Sequence, residues 1–200
     1  MQSKILLSSI LLLFSTGITV SQDWSSQEWV VKLIQSNTDS GTTSANNVPH
    51  ILENEMKSFI GTKAQNITFR PIKNWFFSDD LESYKGNMII VQFGGTTCSG
   101  CKMQMPELSR IQDSYGKQHV KVLFLFLEQQ NILKKYFENQ SISGVIATVE
   151  ETHLLKPFQL IAMPTAYIID ANGIIRDCWV VPEKYDSIEK RLQRCLAEAM

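Results

Sequence analysis

The chain has 200 residues, 44% of them hydrophobic and 20% charged, with 19 basic side chains against 20 acidic ones. That is the composition of an ordinary globular protein with room for one domain and an extension. The balanced charge gives no basis for binding nucleic acid or an anionic membrane surface, and neither is expected as a partner.

Met1 to Lys4 open the chain with positive charge, Ile5 to Phe14 form a nearly unbroken apolar run, and small and polar residues follow through Gln22. This is the pattern of a secretory signal over residues 1–22. Its apolar core is shorter than the roughly 20 residues that span a bilayer. An uncleaved signal would anchor the protein with the same outward topology. Export puts the cysteines where disulfides persist.

Residues 23–64 read as a helical extension with a polar linker. Trp29, Val30, Leu33 and Ile34 share one face of a helix over 24–35, and Ser36 to Asn47 are rich in Ser, Thr, Asn and Gly. A second amphipathic helix, His50 to Ile60, follows Pro49 and carries Ile51, Leu52, Met56, Phe59 and Ile60. Both helices are expected to pack on the domain that follows; a docking surface for a partner is the alternative. From Ile67 to Lys85 the alternation is weak, and the cluster Trp75-Phe76-Phe77 needs shelter, with Trp75 expected in the core. Gly86-Asn87 then turns the chain.

Met88 to Phe93 is a short, apolar, β-branched run suited to a buried strand. Gly94-Gly95-Thr96-Thr97 breaks it, and helical spacing begins near Cys101, which puts Cys98 at the mouth of a helix. Unpaired NH groups of a first helical turn favour a thiolate over a thiol, so Cys98 is the expected attacking sulfur. Cys101, nearly one turn on, is placed to resolve a mixed disulfide formed on Cys98. A structural disulfide is a weaker reading, since so small a loop removes little unfolded-state entropy. A zinc site needs four ligands, and Cys178, Cys195, His50, His119 and His153 are scattered, so no metal is expected.

Pro106 falls inside the helix and should kink it. Val120 to Leu127 is a continuous apolar run fit for a central strand, Asn131 to Asn139 a short helix, Val145 to Val149 a strand, and Thr152 to Leu160 a helical turn region. Thr165 to Ile169 and Ile174 to Val181 form a hairpin around a two-residue turn signal, Asn172-Gly173. Glu183 to Met200 is the terminal helix, with Ile188, Leu192, Cys195 and Leu196 on one face. Cys178 and Cys195 stand either as a structural disulfide or as two buried thiols; neither lies at a helix start, so a second redox pair is not expected.

Val91-Gln92-Phe93, then Thr97-Cys98-Ser99-Gly100-Cys101-Lys102 and Met105-Pro106-Glu107-Leu108, resemble the thioredoxin-fold oxidoreductases of the TlpA and ResA type. Met163-Pro164-Thr165-Ala166-Tyr167-Ile168-Ile169-Asp170-Ala171-Asn172-Gly173 resembles the second signature of that family. Two separated motifs in the right order are more specific than either alone. The resemblance covers residues 65–200 and implies a thioredoxin-like three-layer α/β/α sandwich around a central mixed sheet. The segment between the two halves is an insertion that favours the TlpA-like branch.

The resemblance also implies a cis bond before Pro164, with Met163, Pro164, Thr165 and Thr97 shaping a substrate groove beside the cysteines. It implies no cofactor. The expected activity is exchange with thiols or disulfides of client proteins, in the reducing direction and in the periplasm, including apocytochrome c maturation, by a monomer fed by a membrane electron donor. Three positions depart from the family: Gln92 and Gln104 stand where carboxylates are usual, and Thr97 replaces a tryptophan. Glutamine cannot titrate usefully, so water or a neighbouring carboxylate such as Glu107 is expected to handle protons. A non-catalytic adaptor and a thiol peroxidase are the functional alternatives.

Overall fold

The structure is a computed structural model, and it describes residues 48–73, 76–149, 158 and 162–199. The signal, the helix expected over 24–35, the linker, Trp75 and all of the expected 152–160 turn except Phe158 lie outside the described residues.

Seven strands form one mixed sheet: β1 Thr68–Pro71, β2 Asp79–Asp80, β3 Met88–Gly94, β4 Val120–Phe126, β5 Val145–Val149, β6 Thr165–Ile169 and β7 Ile175–Trp179. Their spatial order is β2-β1-β5-β4-β3-β6-β7. β3, β4 and β5 are parallel to one another, and the outer pairs are antiparallel. Every residue of β3 is buried, as a strand with both faces covered requires. Four helices are described: α1 Val48–Met56, α2 Ser99–Tyr115, α3 Gln130–Phe137 and α4 Tyr185–Glu198.

The sheet divides the core in two. On one face Val91, Phe93, Leu123, Leu125 and Tyr167 pack with Leu52 and Met56 of α1. On the other, Ile90, Val122, Phe124 and Ile168 pack with Leu108 of α2, Leu133 of α3 and Leu192 of α4. This is the expected three-layer α/β/α arrangement, with period-2 alternation sending neighbouring strand residues to opposite layers.

The helix expected over 50–60 begins two residues earlier. Pro49 then occupies the first turn, where a missing N–H costs nothing. Leu52 and Met56 are 1% and 0% exposed, and burial of each contributes about 2 kcal/mol. Ile60 departs from the expected apolar face. The helix has already tightened into a single turn at Lys57–Phe59, Ile60 is extended, and it is 40% exposed. Residues 61–64 then run along β7: the Gly61 and Ala64 amides donate to Ile175 O and Gly173 O, and the Ile175 amide donates to Thr62 O.

Phe76 and Phe77 also depart from expectation, at 75% and 68% exposed. They lie in the β1–β2 connection, beyond a ladder of only two residue pairs, so no strand turns them inward. The β6–β7 turn is longer than the two-residue signal suggested. The Gly173 amide donates to Asp170 O and the Asp170 amide to Ile174 O, leaving Ala171, Asn172 and Gly173 as a three-residue loop. Gly173 takes φ 83°, which a side chain would resist.

Cys178 and Cys195 are both buried free thiols, which removes the disulfide alternative. Their geometry explains it. Cys178 belongs to the α1 side of the sheet and Cys195 to the α4 side.

Candidate active site

β3 delivers the chain to the site and α2 receives it. Gly94 ends β3, and a Cβ there would stand 2.9 Å from Cys101 Sγ, so the strand can pass under the sulfur only as glycine. The Cys98 amide then donates to Gly95 O, and Cys98 becomes the N-cap of α2. Its Sγ accepts the Cys101 amide at 3.1 Å. A sulfur so placed faces the positive end of a 17-residue helix.

Cys98 and Cys101 are disulfide-bonded, with Cα atoms 5.3 Å apart. They are 1% and 0% exposed, and together with Met163 they form a small buried cluster against Leu127. The Met163–Pro164 bond is cis. Thr165 pairs with Phe93 on β3, which brings the proline loop level with the end of that strand, and its hydroxyl donates to Ala162 O at 2.5 Å. Thr97 is exposed beside Cys98. The residues expected to flank the cysteines from two distant parts of the chain therefore meet here.

Gln92, near the end of β3, and Gln104, three residues past Cys101 on α2, are both buried. Gln92 is 1% exposed, and its Nε2 is 3.5 Å from the same Gly94 Cβ position that crowds Cys101 Sγ. Neither polar atom of its amide has a protein partner. Gln104 is fully buried; its Oε1 accepts the Glu183 amide at 3.3 Å and its Nε2 has no partner. Orphaned buried amides of this kind are uncommon.

Glu107 is engaged elsewhere. Its carboxylate accepts from Arg110, Lys184 and the Tyr185 amide, pinning the start of α4 to α2. The carboxylate that does reach the active-site loop is Glu128, absent from the sequence reading. Its Oε1 accepts the Thr96 amide, and its Oε2 is buried without a partner. Strand register rather than local sequence brings it there: Gly94 is paired with Phe126, so the first acid past β4 stands level with the loop that leaves β3.

The remaining thiols do not compete. Burial, with Asp177 and Glu53 adding repulsion, pushes the Cys178 thiol up to about 12. Burial and Asp177 push Cys195 up to about 11. Neither supplies a thiolate near neutral pH.

A family model described as the AhpC/TSA family matches residues 60–178. Among characterised relatives, the thiol-disulfide oxidoreductase ResA of Bacillus thuringiensis subsp. konkukian (strain 97-27) is 26% identical over 120 residues, covering 60% of this chain and 68% of the relative. ResA of Geobacillus kaustophilus (strain HTA426) is 23% identical over 135 residues, covering 67% and 76%. Among solved structures, StoA from Bacillus subtilis superposes with a TM-score of 0.55 at 19% identity, covering 64% of this chain and 97% of that one. A thiol:disulfide interchange protein of the thioredoxin family from Chlorobium tepidum TLS superposes with a TM-score of 0.59 at 20% identity, covering 67% and 95%. The fold is thioredoxin-like.

Proposed function

Because the chain belongs to the AhpC/TSA family, we propose that it is an exported thiol-disulfide oxidoreductase that reduces disulfides of client proteins through Cys98 and Cys101. The observation that carries this reading is the buried disulfide capping α2 with the cis Met163–Pro164 loop packed against it.

The dithiol form does the work. The Cys98 thiolate attacks one sulfur of a client disulfide, the new Sγ–S bond forms, and the other client sulfur leaves and takes a proton. Deprotonated Cys101 then attacks Cys98 Sγ. The intramolecular disulfide closes and the first client sulfur leaves as a thiol. Two electrons and two protons have passed to the client, and an external dithiol donor restores the pair. Met163, Pro164, Thr165 and Thr97 line the groove in which an extended client segment lies. The buried amides Gln92 and Gln104 contribute polarity but no titration.

The same reading places a cleaved signal at residues 1–22, the helical extension at 23–64 and the redox domain at 65–200, with the protein working in the periplasm as a monomer. The charged start followed by the apolar run Ile5 to Phe14 supports the export part of that reading.

Catalysed reduction of a model disulfide protein by dithiothreitol tests it. Wild-type protein should accelerate the reaction, Cys98→Ser should abolish the acceleration, and Cys101→Ser should accumulate a mixed disulfide with the substrate, visible as a reductant-sensitive adduct. Full activity in Cys98→Ser would overturn the proposal.

A further inference from the structure

Glu128 is a carboxylate set against the backbone that carries the nucleophile. Its Oε1 accepts the Thr96 amide, two residues before Cys98. It also lies 3.3 Å from the position a Gly95 Cβ would take, so the missing side chain lets the loop pack closely over it. Its backbone is fixed in turn, since Thr148 Oγ1 of β5 donates to Glu128 O. Its second oxygen is buried with no partner. An acid held this way repels negative charge that appears nearby. Lys102, in the first turn of α2, holds its ammonium over the Tyr136 ring of α3 at 5.9 Å.

We propose that Glu128 is a positioning residue that fixes the Gly95–Thr97 loop and, through its charge, disfavours the Cys98 thiolate relative to the closed disulfide. The inference rests on the oxidoreductase reading and deepens it. Opening the disulfide creates an anion at Cys98, whereas the disulfide is neutral, so a fixed negative charge beside the loop weighs against the open form. The dithiol is then the stronger electron donor, which opposes the helix start and favours the reducing direction. Gln92 and Gln104 cannot play this part, being uncharged.

The test equilibrates full-length mature protein with glutathione buffers at pH 7 and traps free thiols by alkylation. In this exchange two glutathione thiols give two electrons and two protons to the pair and leave as glutathione disulfide. Glu128→Gln keeps an acceptor for the Thr96 amide and removes the charge. It should move the equilibrium toward the dithiol by about tenfold and speed alkylation of Cys98 in the reduced protein. Glu128→Asp keeps the charge and should stay within about twofold of wild type. A Gln variant equal to wild type, or Gln and Asp variants shifted alike, would overturn the role of the charge while leaving the oxidoreductase reading intact. A wild-type pair that does not exchange with glutathione at all would overturn both.

Discussion

At the scale of single residues, the four cysteines separate by environment alone. Cys98 has a helix start and the Cys101 amide to stabilise its thiolate, while Cys178 and Cys195 have only burial and nearby acids, which work against one. We therefore expect Cys178→Ala and Cys195→Ala each to leave disulfide-reductase turnover unchanged and to lower stability by about 1 kcal/mol through loss of a small buried group. Turnover assays and urea denaturation of the two variants check this; a loss of turnover in either would assign that thiol a redox role. The cysteine pair was legible because its chemistry is local, four residues and a strand-to-helix switch. Glu128 was not, because its significance arises from strand register between segments about thirty residues apart in sequence, and nothing within its own neighbours Leu127 and Gln129 marks it. Glu107 shows the converse: it is near Cys101 in sequence, but its side chain bonds to the start of α4.

At the scale of elements, the β6–β7 hairpin is held by one acid. Asp170 accepts the Asn172 and Ile174 amides at 2.9 Å each and Arg176 Nε at 2.7 Å. Burial alone would push its carboxyl up, yet the Ile174 amide, Arg176 and the Asn172 amide outweigh that and hold it below the usual carboxylate range. A folded-state value below the unfolded one adds stability that is present above pH ~4 and is lost as pH falls through the folded value. Asp170→Asn should accordingly destabilise the protein most at neutral pH, and its urea midpoint should draw closer to that of the parent as the pH falls below about 4. A gap that stays constant with pH would mean the charge is not what holds the loop. Strands of strong apolar character, β3 and β4, were legible to within one residue because burial on both faces writes an unbroken run. Helix ends and turns were less so. The exit of α1 into a tighter turn at Lys57–Phe59 depends on β7 arriving beside residues 61–64, a long-range contact that no local pattern encodes.

At the scale of the whole molecule, the layers on the two faces of the sheet are joined by one guanidinium. Arg191 of α4 bonds Asp177 on β7 at 2.9 and 3.0 Å, Glu183 at 2.8 Å, and Glu53 of α1 at 3.1 Å, and it lies 5.4 Å from the centre of the Trp179 ring. Its removal leaves Asp177, 6% exposed at the side chain, with Arg194 as its remaining salt-bridge partner. Arg191→Met should cost about 3 kcal/mol in urea denaturation and leave the glutathione equilibrium of the cysteine pair where it was. A shift in that equilibrium would show that the clamp reaches the active site.

The two margins of the sheet carry a last consequence. One ends in β2, two adjacent aspartates; at the other, residues 61–64 already occupy the amide and carbonyl of Ile175, where β7 begins, and the carbonyl of Gly173 just before it. Proteins with incompletely formed disulfides are themselves incompletely folded, and they offer bare backbone that recruits any available template. A catalyst with acids at one rim and its own chain stitched to the start of the other offers such molecules less bare edge on which to be zipped into their aggregates.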